Sequence, residues 1–231
     1  MRNSMQKRPL SNDRLSDDRR RRQGGVEAIE FAIFFTLTLP MFVWMFINGM
    51  NFIILDKVND VTRAAGLMLI KSQDFTLSGT QEIVARVASG LNLQVGTTGG
   101  VQGTSTGSGL VIISKIQYIG TTTCSNCTNV SHYVFLSRIY VGNTSLQFNG
   151  TTVASAFGSP NSTLWSTTTG DVSSTQTNTG AQTNAAFGAL FGATPIADSE
   201  TVYVVESYFT SASGFGAGQF GAGGAYARVL M

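Results

Sequence analysis

Residues 31–55 read FAIFFTLTLPMFVWMFINGMNFIIL, 25 consecutive positions without a charged side chain. As an α-helix rising about 1.5 Å per residue, the stretch reaches ~37 Å, more than the ~30 Å hydrocarbon core of a bilayer. A buried helix in a soluble protein is rarely so long and so uniformly apolar. Pro40 and Gly49 interrupt the run, and spanning helices tolerate both because neighbouring groups re-satisfy the freed backbone. The stretch therefore predicts one membrane-spanning helix. A cleaved secretory signal fits less well: its apolar core is about 7–15 residues long and ends at a small-x-small site. Residues 51–57 offer no such site.

The flanks predict the orientation. Arg19, Arg20, Arg21 and Arg22 precede the run, whereas Asp56, Lys57, Asp60 and Arg63 after it nearly cancel. Positive charge stays on the cytoplasmic side, so the N-terminus is expected in the cytoplasm and the bulk of the chain outside. The overall charge of +2 hides this asymmetry. Eight of the fifteen basic residues lie before Gly24, and from Val26 onward seven basic and ten acidic residues leave a net −3. An arginine cluster also serves nucleic-acid binding or nuclear import. Beside a hydrophobic span, topology and attraction to anionic lipid explain it more simply, and no nucleic-acid partner is expected.

Glu27 and Glu30 sit at the start of the apolar run. A carboxylate at the hydrocarbon boundary costs free energy and needs a compensating interaction. One is the helix dipole, which favours an acid near the N-terminus by about 0.3–1 kcal/mol. The other is proteolysis after Gly25, which would make Val26 the new N-terminus and set its α-amino group one helical turn from Glu30. The pair could then neutralise within one chain or between neighbouring packed chains.

The stretch RRRRQGGVEAIEFAIFFTLTLP resembles the start of TadE-like pseudopilins from tight-adherence (Flp) pilus assembly systems. It carries basic residues, Gly25, the short interval 26–29, then Glu30-Phe31-Ala32 and later Leu39-Pro40. The similarity covers roughly residues 19–66, ending in the Arg63-Ala64-Ala65 region, and Glu27 is a departure from its pattern. The resemblance implies cleavage after Gly25 by a prepilin peptidase, with Glu30, fifth in the mature chain, assisting assembly. It further implies a place in the bacterial cytoplasmic (inner) membrane, among other pilin or pilus-assembly subunits of a type IV-like pilus or related secretion apparatus.

Beyond the span, Leu55, Val58, Val61, Ala65 and Met68 recur at three- and four-residue steps and predict one apolar helix face. Ser78-Gly79-Thr80-Gln81 has the form of a capping box opening a short second helix, which Gly90 ends. Runs rich in β-branched residues at 110–119, 133–141 and 201–209 predict strands, with a last short one at 226–231. In the third, Tyr203, Val205 and Phe209 share a face and Glu206 takes the other. Residues 142–199 are low in charge and full of Thr, Asn, Ser and Gly, and are expected to form long exposed loops. The expected fold is thus α+β: a basic cytoplasmic leader (1–25), a transmembrane and amphipathic helix (26–72), and a small β-rich extracytoplasmic domain with long Gly/Ser/Thr/Asn-rich loops (73–231).

Few residues suggest chemistry. Gly103-Thr104-Ser105-Thr106-Gly107 fits the hydrolase Gly-x-Ser-x-Gly pattern, but a strand rather than a helix is expected after it, and His132 is the sole histidine. Gly216, Gly218 and Gly221 match a dinucleotide fingerprint with too little chain following. Cys124, Cys127 and His132 have the first three spacings of a zinc knuckle, with Ser137 where a fourth ligand belongs. In an oxidising compartment a Cys124–Cys127 disulfide is the favoured reading, with free thiols and metal as alternatives. No enzymatic activity, cofactor, metal or small-molecule substrate is expected. The alternative to a pilin-like subunit is an uncleaved single-pass surface protein that binds an extracellular partner through its Thr/Asn-rich domain.

Overall fold

The computed structural model describes residues 13–97, 99–148, 151–192, 195–210 and 224–231. One helix, α1 (Asp13–Ile70), runs through the apolar stretch. The chain divides into two compact units, residues 1–50 and 51–231, so the last part of α1 belongs to the second. The helix passes without a break through Gly25, where the sequence reading placed the end of the leader.

In the second unit a mixed five-stranded sheet has the order β1-β3-β2-β6-β7. Its strands are β1 (Gln102–Thr104), β2 (Gly109–Ile119), β3 (His132–Asn143), β6 (Thr201–Thr210) and β7 (Gly224–Leu230). Only β1–β3 is parallel. A two-stranded ribbon, β4 (Gln147–Phe148) with β5 (Thr151–Thr152), lies in the connection after β3. The strands β2, β3 and β6 coincide with the three β-branched runs, where side chains alternate between two faces, and β7 lies where the last short strand was expected, starting and ending slightly earlier.

One sheet face packs on helices. Val111, Ile113, Val141, Val205 and Phe209 meet Val58, Val61 and Ala65 of α1, Val84 of α2 (Ser78–Val87) and Ala88 just after it in one core. Of the anticipated α1 face, Val58, Val61 and Ala65 are fully buried and Met68 packs beside them, but Leu55 is exposed and Ile54 takes its place. The capping box at the start of α2 does not form. Leu77 is the N-cap without a side-chain bond, and Gln81 turns instead to the Phe75 and Gly100 carbonyls at 2.7 and 2.5 Å. One carbonyl from the turn just before the helix and one from a later loop take the amide the box would have used.

The other face corrects the expectation of exposed loops. Phe157, Val172, Ala181 and Phe187, from the low-charge segment after β3, are buried against Ile116, Phe135, Val202 and Val204. Phe187 opens its ring to both Phe157 and Tyr133 in edge-to-face contacts at 5.1 and 5.2 Å, within the short helix α3 (Ala185–Ala189). Each fully buried Phe contributes about 1.5–3 kcal/mol. The same segment covers the outer edge of β3 beyond the reach of β1. Val172 N–H donates to Leu136 O, Thr183 N–H to Tyr133 O, and Arg138 N–H to Gly170 O. Gly170 lies so close that a Cβ there would stand 2.7 Å from the Arg138 carbonyl. An edge otherwise open to strand addition is thereby closed.

Thr, Asn and Ser abound in this layer because their side chains close its turns. Asn161 accepts from Thr163 N–H and Asn178 from Gly180 N–H. Asn129, fully buried, donates to the Thr175 and Asn178 carbonyls and accepts from Gln182. Local bonds of this kind stand in for a regular ladder.

Candidate functional site

The positions singled out for topology and processing lie on α1: Arg19, Arg20, Arg21, Arg22, Gly25 and Val26 have helical backbone, and side chains are described from Glu27 onward. Helical geometry sets position 26 one turn from Glu30. Glu27 and Glu30 are both exposed and, three residues apart, share a face.

The helix segment Glu27–Ile70 is long and apolar enough to cross a membrane, and none of its most apolar window is buried. Phe31, Leu37, Met41, Phe42 and Trp44 each expose more than half of their surface. Such a surface is costly in water and favourable in hydrocarbon. The polar side chains within the run bond to their own helix. Thr36 Oγ donates to Ala32 O and Asn48 Nδ2 to Trp44 O, both at 2.7 Å. Pro40 brings no N–H, which leaves the Thr36 carbonyl without its usual helical donor.

A second concentration of chemistry lies on the sheet face away from the helices, where Arg138 of β3 and Glu206 of β6 are both fully buried. A bulge sets Lys115 opposite Ser137 and Ile116 opposite Phe135, so one residue of β3 is extra. That shift brings Phe135 to the same face as Arg138, and the guanidinium lies 4.3 Å from the ring centre. Arg138 donates to Ser114 Oγ at 3.1 Å, Gly158 O at 2.5 Å, Ser159 Oγ at 2.9 Å and Ser155 Oγ at 3.1 Å. Burial pulls its pKa below the ordinary arginine value, against the opposing influence of Tyr140 and Glu206.

Glu206 accepts from Ser155 Oγ, from Ala156 N–H at 2.9 Å, and from the Tyr208 and Tyr226 hydroxyls at 3.2 Å each. Ser155 thus bridges the two charged groups. Its proton goes to Glu206, and its lone pairs receive Arg138 and Phe157 N–H. With every position committed, this hydroxyl is a structural bridge and not a free nucleophile. Burial, followed by the neighbouring Glu206 carboxylate, raises the pKa of both tyrosines, that of Tyr226 to about 12.

Cys124 and Cys127 are joined by a disulfide with Cα atoms 5.7 Å apart. Asp198, just before β6, grips the same loop. Its carboxylate accepts from Gly120 N–H, from both the N–H and the hydroxyl of Thr123, and from the Thr122 hydroxyl. The two hydroxyls are the main cause of its pKa lying well below the usual carboxylate range. His132 is exposed, its Nδ1 against Val130 O at 2.8 Å. Ser105 is exposed, and the next element is strand β2 rather than the helix a nucleophile turn requires. Among the described residues no group of three or more His, Cys, Asp or Glu side chains could hold a metal. Gly216, Gly218 and Gly221 lie outside the described residues.

Sequence reasoning placed Glu206 on the correct face but assigned Arg138 no role. A signal was present: in a chain with 12% charged residues, each is the one Asp, Glu, Lys or Arg of a strand rich in β-branched and aromatic residues. Such a charge is either solvated at an edge or paired in the interior, and only the neighbouring strands decide which. No protein-family model, curated protein or solved structure matches the chain.

Proposed function

We propose that this chain is a single-pass membrane protein of pseudopilin type, held by α1 with its N-terminus in the cytoplasm and its α+β domain outside the inner membrane. In this reading a prepilin peptidase cuts after Gly25, and the mature subunit assembles through its helix with other pilin-like subunits of a Flp-type pilus or related secretion apparatus. The observation that carries it is the surface of α1. An exposed apolar helix bears an acidic residue, Glu30, at its edge, one turn from the peptide bond to be cut. Association would draw on side-chain packing in the bilayer, with Glu30 as the polar contact.

The role is one of assembly and not of catalysis. It is in keeping with this that the Ser155 hydroxyl between Arg138 and Glu206 is saturated with partners and that a strand, not a helix, follows the exposed Ser105 motif.

A second reading is favoured by the backbone. Gly25 and Val26 are helical, whereas peptidases act on unwound chain. Gly24 and Gly25 lower the cost of unwinding, each by roughly 1 kcal/mol relative to alanine. If that segment stays helical, the protein is an uncleaved surface protein that binds an extracellular partner through its domain.

The N-terminal sequence of the membrane-extracted protein, produced with its own secretion machinery, decides between them. A chain beginning at Val26 supports the pseudopilin reading. An intact N-terminus removes processing and promotes the tethered binding protein.

A further inference from the structure

Between the sheet and the layer that covers it lies a cleft of about 300 Å³ that the network around Glu206 does not fill. Leu110 and Ile112 form its floor, Tyr140 and Trp165 stand on its walls, and Gln102 and Thr144 sit at its rim. The two aromatic rings meet edge to face, 5.6 Å apart and nearly perpendicular. Trp165 is held in place by its indole N–H, which donates to Arg138 O at 2.8 Å. The cleft is therefore preformed, which spares a ligand the cost of ordering it.

The polar groups define what would fit. Gln102 donates one Nε2 proton to Thr167 O, which leaves its second N–H as a donor and its Oε1 as an acceptor. Thr144 donates its hydroxyl proton to Thr104 O and keeps its lone pairs. Ser159, also on the lining, accepts from Arg138, which polarises its own O–H as a donor. No charged side chain lines the cleft among the described residues. An anion would find no cationic side chain on the lining, and a cation would find no carboxylate. A ring bearing hydroxyls, each both donor and acceptor, satisfies all three groups. Its C–H face, weakly hydrated and slightly positive, suits the negative face of an aromatic ring. The volume stands at the low end of the roughly 300–1,000 Å³ typical of ligand pockets, room for one or two rings.

We infer that this cleft binds a neutral saccharide unit, held against the aromatic corner of Tyr140 and Trp165 and hydrogen-bonded by Gln102, Thr144 and Ser159. The inference rests on the second unit alone and holds whether or not Gly25 is cut.

The test follows Trp165 fluorescence in full-length protein in lipid nanodiscs, avoiding glycoside detergents, in a Trp44→Phe background where Trp165 is the remaining tryptophan. Neutral hexoses, N-acetylhexosamines and their methyl glycosides are titrated, with glucuronate and indole as competitors in class. A saturable shift with a dissociation constant on the order of 1 mM is expected for at least one neutral sugar. Gln102→Ala and Thr144→Val should each weaken it about tenfold, the effect of one lost hydrogen bond. Binding of both the sugar and its methyl glycoside marks the end of a glycan chain as the source, and binding of the sugar alone marks the free sugar. No response to any neutral sugar, tighter binding of glucuronate or indole, or unchanged affinity in both variants overturns the inference.

Discussion

Ser207 lies fully buried on β6, and its Oγ has no hydrogen-bond partner. Strand alternation puts it on the same face as Val205 and Phe209, beneath the helices, where neighbouring groups are apolar. A buried hydroxyl without a partner costs about 1–3 kcal/mol, so Ser207→Ala should raise stability by about 1 kcal/mol, read as a higher urea midpoint at unchanged slope. Arg138 presents the opposite case, since removing it takes away the buried positive charge that meets Glu206 through Ser155 and leaves the Gly158 carbonyl without that donor. Arg138→Met should cost about 3–5 kcal/mol in the same assay, far more than an exposed arginine. A loss below 1 kcal/mol would mean that the buried carboxylate is satisfied without it. Tyr226 contributes a pH dependence. Its folded pKa of about 12 lies above the ordinary value near 10, so its contribution is complete below pH 10 and is lost as pH rises towards 12. The melting temperature should fall across that window, and more gently in Tyr226→Phe.

At the scale of elements, the layer after β3 is where stability and sequence texture part company. Phe187 sits on a helix of five residues in a segment dominated by Thr, Asn, Ser and Gly, yet it is fully buried. Phe187→Ala should destabilise the domain by about 3–5 kcal/mol, as for a core aromatic. If proteolysis trims this segment while the sheet keeps its melting temperature, the layer is an appendage and not part of the core. The disulfide loop is held twice, by the Cys124–Cys127 bond and by Asp198. A cross-link closing so short a loop contributes about 2 kcal/mol through the unfolded chain. Cys124→Ser should lower the melting temperature modestly, and reduction should have no further effect on that variant. The depressed pKa of Asp198 puts its contribution above the ordinary carboxylate pKa, so the loop weakens on acidification below about pH 4.

For the whole molecule, the decisive prediction concerns α1. On the proposed pseudopilin reading, Glu30→Ala should leave the protein in the membrane fraction, because the apolar run is untouched, and should impair assembly into a pilus. Normal assembly by that variant would count against Glu30 as the polar contact. The apolar run itself was legible without coordinates: the free energy of transferring 25 uncharged residues is a sum over residues and does not depend on what surrounds them. The strands β2, β3 and β6 were legible for a similar reason, since β-branched runs with period two carry their own signal. Three features were not. The capping box at Ser78 lost Gln81 to the Phe75 carbonyl just before the helix and to the Gly100 carbonyl of a later loop. Residues after β3 looked solvated because their composition is polar, whereas a few well-spaced aromatics, sealed by side-chain bonds to the backbone, bury the layer. The meeting of Arg138 with Phe135, Ser155 and Glu206 depends on a bulge and on strands far apart in the chain. Local periodicity and apolarity determine which segments are helix or strand and which can enter a membrane. Pairing register and packing, which join distant residues, decided which polar groups were buried together and where a cleft remained.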